Sequence, residues 1–205
     1  AKPVIIELKE ENEFRLTAQE LRDAITDKTK VLILPFPNNP TGAIMEKKDL
    51  EEIAEVIREK DIFIISDEIY AELTYKEKHV SIVSLPGMQE RTVLINGFSK
   101  AYAMTGWRLG YALAPEPILQ QMLKIHQFAI MCAPTTSQYA AVEALKNGDE
   151  ILYTSLYWRA NFAVNFLARV HYITPECDRV ATVFEDIRYT PSGFTYTRPE
   201  RNNLY

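Results

Sequence analysis

Thr92-Val93-Leu94-Ile95-Asn96-Gly97-Phe98-Ser99-Lys100-Ala101-Tyr102-Ala103-Met104-Thr105-Gly106-Trp107-Arg108-Leu109-Gly110-Tyr111 joins two apolar, strand-like runs through a turn of small and polar residues. The first run covers 92–95 and the second 108–114, and nothing between them has a helical pattern. A parallel crossover takes a dozen or more residues and is usually helical, so this pair is expected to be antiparallel. Lys100 sits in the turn, where a confined amine can lose its proton and act as a nucleophile. Arg108 opens the second run between Gly106 and Gly110, and its planar fork suits phosphate oxygens. Trp107 is expected to pack beneath the lysine turn.

Upstream, apolar runs alternate with helical patterns. Residues 4–8 (Val-Ile-Ile-Glu-Leu) read as a short strand. Thr17-Ala18-Gln19-Glu20 is a capping box, and Leu21, Ala24 and Ile25 give the following helix its apolar stripe. Lys30 to Phe36 is too short for a helix and rich in β formers, so it reads as a strand buried on both faces. A helix is expected over 47–60, with Leu50, Ile53, Ala54 and Ile57 on one face. Ile62-Phe63-Ile64-Ile65 is a second buried strand that stops at Ser66-Asp67-Glu68. Residues 76–91 read as loop and short helix. Such alternation predicts an α/β domain, a mostly parallel sheet flanked by helices. Downstream, helices are expected at about 116–131, 134–147 and 149–170. After Val170 the text turns polar, with short strand-like pieces near 180–184 and 194–197, and residues 171–205 read as a second, incomplete region.

Composition narrows the function classes. With 205 residues, 47% hydrophobic and 25% charged, the chain can bury a substantial core. A net charge of −5 with mixed signs gives no basic surface for nucleic acid or anionic membrane. The two cysteines, Cys132 and Cys177, are far apart and lack metal or redox spacing, which favours the reducing cytosol over a disulfide scaffold. No apolar run reaches the ~18 residues of a membrane span, and no signal peptide is evident. His79, His126 and His171 share no metal or triad spacing and read as structural or surface groups, so no metal is expected. Trp158 and Arg159 read as packing and surface residues of a helix.

Asn39, Asp67 and Lys100 each follow an expected strand, and ligands in open α/β sheets bind at the carboxyl ends of strands. Each also has a bland reading. Pro37-Asn38-Asn39-Pro40-Thr41-Gly42 is a turn, Asp67 can cap a turn at 68–71, and Lys100 and Arg108 alone suit a solvated surface. Together, a lysine and a phosphate clamp at one sheet edge are what pyridoxal 5'-phosphate requires of a protein. Asn39-Pro40-Thr41-Gly42, Ser66-Asp67-Glu68-Ile69-Tyr70 and Gly97-Phe98-Ser99-Lys100 through Met104-Thr105-Gly106-Trp107-Arg108-Leu109-Gly110 carry a resemblance over about residues 3–170. This span resembles the class I/II aminotransferases, fold type I enzymes dependent on pyridoxal phosphate.

The resemblance implies roles for these residues. Lys100 looks like the lysine that forms the internal aldimine and then shuttles protons. Asp67 looks like the carboxylate under the pyridine nitrogen, which keeps the ring an electron sink. Asn39 and Tyr70 resemble the pair that hydrogen-bonds the phenolic oxygen; Arg108 resembles the phosphate-binding arginine, and Ser99 adds a hydroxyl. Gly97 stands where family members often have Ser, and Asn39-Pro40 is a candidate cis peptide. Residues 1–147 are then the large, cofactor-binding domain lacking its first part, 148–170 a helix towards a small domain, and 171–205 an unmatched tail. The whole reads as part of a larger cytoplasmic, homodimeric aminotransferase acting on an amino acid and a 2-oxo acid. A carbon–sulfur β-lyase, or a non-catalytic ligand sensor on the same scaffold, would use the same cofactor parts.

Overall fold

A computed structural model describes residues 1–74 and 78–148, together with the backbone of 185–190 and 193–197. The chain divides into two compact units, Ala1–Leu152 and Tyr153–Tyr205. In the first, a four-stranded sheet has the order β1 (Val31–Leu34), β2 (Phe63–Asp67), β3 (Thr92–Gly97), β4 (Gly110–Leu113). β1, β2 and β3 are parallel, with Leu32 opposite Ile64 and Ile64 opposite Thr92. β4 returns antiparallel, Gly97 facing Gly110, as the absence of a crossover helix requires. Because three strands run one way and β4 starts where β3 ends, the ends of β1, β2 and β3 and the start of β4 share one edge.

Helices α1 (Ala18–Ala24) and α2 (Lys47–Arg58) cover one face of this sheet. The Thr17 hydroxyl accepts the Glu20 amide while the Glu20 carboxylate accepts the Thr17 amide, closing the expected capping box. Leu50, Ile53, Ala54 and Ile57 recur at helical spacing and are buried against Leu34 and Ile64. Arg91 donates to the carbonyls of Ile57 (3.1 Å) and Lys60 (2.6 Å), tying the approach to β3 to the last turn of α2.

Three expectations are corrected. Residues 4–8 form no strand: Ile6 and Leu8 pack on the core, Val4 and Ile5 face outward, and among the described residues no neighbouring strand completes a ladder. The Lys30–Phe36 and Ile62–Ile65 runs are buried on one face rather than two. Their register puts Val31, Ile33, Phe63 and Ile95 on the same side, and these are 48, 64, 42 and 38% exposed. α1 and α2 pack on the opposite face, with Leu34 and Ile64, and on the open side Val93 of β3 is buried. Trp107 is 46% exposed rather than tucked under the turn; Phe98, Ala101 and Met104 fill that space.

α3 (Glu116–Ala129) and α4 (Thr135–Asn147) follow close to their expected bounds. α3 buries none of its residues, whereas α4 sets Ala141 against Phe98 and Met104. The Ser137 hydroxyl of α4 also donates to the Trp107 carbonyl at 2.8 Å. α4 therefore props the lysine turn. In the second unit, β5 (Glu185–Thr190) and β6 (Gly193–Thr197) form an antiparallel hairpin, which contains the strand expected near 194–197. The strand expected near 180–184, the helix over 149–170, and Trp158, Arg159, His171 and Cys177 lie outside the described residues. Among the described residues no helix is long and apolar enough to cross a membrane.

Candidate active site at the carboxyl edge of the sheet

The loop after β1 is held by its own bonds. Asn38 accepts Gly42 N–H at its carbonyl (2.9 Å), donates its amide to the Ala43 carbonyl (2.9 Å), and takes the Thr41 hydroxyl on Oδ1 (2.9 Å). Gly42 sits at φ 74, which only glycine adopts without cost, and both Phe36-Pro37 and Asn39-Pro40 are cis. With Asn38 occupied in the turn, Asn39 faces the next strand. Its Nδ2 donates to the Tyr70 hydroxyl at 3.2 Å.

β2 ends in an Asx turn: Asp67 Oδ1 accepts the Ile69 amide (3.2 Å) and the Glu68 carbonyl accepts the Ala71 amide (2.8 Å). Asp67 thus performs the turn-capping duty that its position suggested, and the turn delivers Tyr70 to Asn39. Above the Tyr70 ring lies Lys100, its Nζ 5.2 Å from the ring centroid, within cation–π range.

Lys100 owes its place to a compact turn after β3. The Phe98 carbonyl accepts the amides of both Tyr102 and Met104 (3.2 Å each), and Ala103 adopts φ 53. Gly97 and Gly110 let β3 and β4 meet closely; a Cβ on Gly97 would fall 3.0 Å from Gly110 Cα and 3.1 Å from the Leu109 carbonyl oxygen. Gly97 therefore fits this chain's backbone where a serine would not without a shift. Thr105 links the remaining two candidates: its hydroxyl donates to the Ser99 carbonyl (2.8 Å) and its carbonyl accepts Arg108 Nη1 (2.9 Å). Arg108 has φ 52 and ψ 47, a left-handed conformation that a non-glycine residue adopts at a cost, and functional sites collect such outliers.

The structure brings Asn39, Tyr70 and Lys100 into contact, with Asp67 bound to the same turn. Ser99 and Arg108 form a second group joined through Thr105, and the chain itself links it to the first, since Ser99 directly precedes Lys100. The Phe98 ring meets those of Tyr102 (5.6 Å between centroids) and Tyr111 (5.8 Å) at tilts of 37° and 59°. Burial pushes the Tyr111 hydroxyl up from its ordinary pKa, with Tyr102, Glu72 and Glu68 adding to the effect.

Sequence reasoning missed one cluster. Glu68, 3% exposed, accepts the hydroxyls of Ser66 (2.9 Å) and Ser81 (2.7 Å) on Oε1 and meets His79 Nε2 with Oε2 at 2.8 Å. His79 thus has a buried carboxyl partner, and that partner adjoins Asp67. Alternation was the available signal: Ile64, Ser66 and Glu68 fall on the buried side, and Asp67 falls on the other.

An α/β sheet presenting an amine, a carboxylate, an amide–phenol pair and a guanidinium at one carboxyl edge belongs to the class of open-sheet scaffolds that bind ligands at that edge. Comparison with known proteins gives the family. The profile of "Aminotransferase class I and II" matches residues 1–202, and the chain belongs to that family. The match runs past residue 170, so most of the tail that carried no sequence resemblance falls within the family span. The chain is 52% identical over 147 residues to the aspartate aminotransferase of Pyrococcus abyssi, covering 71% of this chain and 38% of that protein. It is 51% identical over 147 residues to aromatic-amino-acid aminotransferase 2 of Thermococcus litoralis, again covering 71% and 38%. The crystal structure of the aromatic aminotransferase from Pyrococcus horikoshii superposes with a TM-score of 0.75 at 44% identity, over 83% of this chain and 47% of that one. The chain thus spans less than half the length of these relatives, and its sheet is a truncated form of the fold they share.

Proposed function

We propose that the protein containing this chain is a pyridoxal-phosphate-dependent aminotransferase that moves an amino group between an amino acid and a 2-oxo acid. The observation that carries the proposal is the approach of Lys100 Nζ to the Tyr70 ring while Asn39 holds the Tyr70 hydroxyl, at the edge where Asp67 ends β2. This donor set fits the cofactor group by group. Bound, the cofactor supplies an electrophilic carbonyl and an electron-withdrawing ring. Lys100 offers the amine that holds the carbonyl and, when free, carries a proton on Nζ to and from the substrate carbon beside nitrogen. The Asp67 carboxylate holds a proton at the ring nitrogen. Asn39 and Tyr70 orient the ring oxygen by hydrogen bonds, and Arg108, with Ser99 beside Lys100, receives the phosphate.

Residues 1–147 are read as the cofactor-binding domain, 148–170 as a helix linking to a small domain and 171–205 as an incomplete C-terminal segment. Kinship supports amino-acid and 2-oxo-acid substrates, a cytoplasmic homodimer and a site completed at the dimer interface. Aspartate and aromatic amino acids, the substrates in the relatives' names, are the first to assay. In the full-length protein, added pyridoxal phosphate is expected to give a visible absorbance band that borohydride traps on Lys100, and Lys100→Ala is expected to abolish both. A wild type without that band refutes the cofactor assignment. Pyruvate and ammonia released from a cysteine conjugate, with no 2-oxo acid needed, would instead make it a β-lyase. Binding of an amino acid with no transfer of its amino group would make it a sensor.

A further inference from the structure

The buried Glu68 cluster has no part in the contacts above, yet it is bonded to the backbone that carries them. We infer that Glu68 and His79 are positioning residues, which fix Asp67 and Tyr70 towards the cofactor by clamping the start of the turn between them to the core; the inference rests on the cofactor reading just given. Glu68 follows Asp67 directly, and its side chain lies on the opposite side of the strand, as alternation requires. Its amide donates to the Ile95 carbonyl (2.9 Å), a bond to β3 just past the paired residues, and its carbonyl accepts Ala71 N–H at the close of the turn holding Tyr70. A rotation of Glu68 would therefore move Asp67 on one side and Tyr70 on the other.

The carboxylate resists such rotation because both oxygens are engaged by groups from separate segments. Ser66 belongs to β2 itself. His79 and Ser81 come from the segment running into Ile82, which is 1% exposed and part of the main core. The Ser81 hydroxyl accepts the Val83 amide (3.3 Å) while donating to Glu68, so its orientation is fixed as well. The Glu68 and His79 side chains are 4 and 16% exposed. Folding alone gives no reason for a charge here, since well-packed apolar residues often replace buried ion pairs without loss of stability. A carboxylate with three directional donors does what an apolar side chain cannot: it selects one orientation of the backbone next to a reacting group.

The test uses full-length protein carrying Glu68→Gln, His79→Ala, His79→Gln or Ser81→Ala. Each is measured for the unfolding temperature of the cofactor-free form, the dissociation constant of pyridoxal phosphate, and the pH midpoint of its visible band. Ser81→Ala, which removes one donor of three, keeps the test open if Glu68→Gln does not fold. Loosened positioning is expected to weaken cofactor binding on the order of tenfold in His79→Ala, about what losing 1.4 kcal/mol of binding free energy gives. The band midpoint is expected to move with it, and His79→Gln, which restores a donor, is expected to recover most of both. A purely structural cluster would lower the unfolding temperature and leave the midpoint and affinity of the folded variants at wild-type values, which overturns the inference alone. A wild type with no trapped band overturns the cofactor reading and the inference together.

Discussion

At Gly97 a single methyl group is enough to disturb the site. The nearest atoms to an added Cβ are backbone, Gly110 Cα at 3.0 Å and the Leu109 carbonyl oxygen at 3.1 Å, and neither can rotate away as a flexible side chain could. Gly97→Ser is expected to destabilise the protein by about 1–3 kcal/mol, read from the urea midpoint, through the overpacking of a close strand crossing. Tyr111 gives a pH-dependent prediction. Its folded pKa is raised, mainly by burial, so the folded state keeps its proton where the unfolded chain has lost it. Its contribution is undiminished below the ordinary tyrosine value of about 10 and is lost as pH rises towards the folded value. Tyr111→Phe is expected to flatten that alkaline loss, and a spectrophotometric titration should lose one late-ionising tyrosine. Asn39, Asp67 and Lys100 were legible as candidates because each follows an apolar run short enough to be a strand, whereas Tyr70 and Ser99 rested on the family resemblance. Glu68 was not, because an acid beside a candidate acid reads as solvated until its serine and histidine partners, two and eleven or more positions away, are seen to converge. Trp107 misled by its size; a three-residue turn over 105–107 carries it outward and leaves the smaller Ala101 and Met104 beneath.

Among the elements, α2 was the most legible, since Leu50, Ile53, Ala54 and Ile57 can share a face only in a helix and all four are buried. Ile53 is fully buried, so Ile53→Ala is expected to cost about 2–5 kcal/mol in chemical unfolding. Thr17→Ala should cost only about 1 kcal/mol, because it breaks one reciprocal cap at the end of a seven-residue helix. If the two losses prove equal, α1 bears more of the core than its burial implies. Strands were legible as strands but not in their faces. An unbroken apolar run such as Val31-Leu32-Ile33-Leu34 does not reveal how many layers flank it, and here Leu34 is buried while Ile33 is 64% exposed. Residues 4–8 failed differently: their composition suits a strand, but a strand is a pairing, and no local pattern supplies the partner.

For the whole molecule, the open face of the sheet has the largest consequence. Val31, Ile33, Phe63 and Ile95 form a shared apolar side across β1, β2 and β3, and α3 separately leaves apolar residues such as Phe128, 95% exposed, uncovered. Monomeric proteins rarely leave such surface contiguous beyond a few hundred Å². Relatives more than twice as long as the matched span have further chain with which to cover theirs, and the 205 residues expressed alone would have to bury this face by association. The isolated chain is therefore expected to bind a hydrophobic dye strongly and to elute as a concentration-dependent oligomer. Ile33→Lys and Ile95→Lys separate this from general misfolding. Ile33 is 64% and Ile95 38% exposed, so a lysine at either can reach water past its own apolar stem, while its charge interrupts the patch. The double variant should bind less dye and elute closer to a monomer, with unchanged far-ultraviolet circular dichroism. A monomeric, dye-silent wild-type chain would mean that the face is already covered, and the lysine substitutions would then lower stability instead of improving solubility.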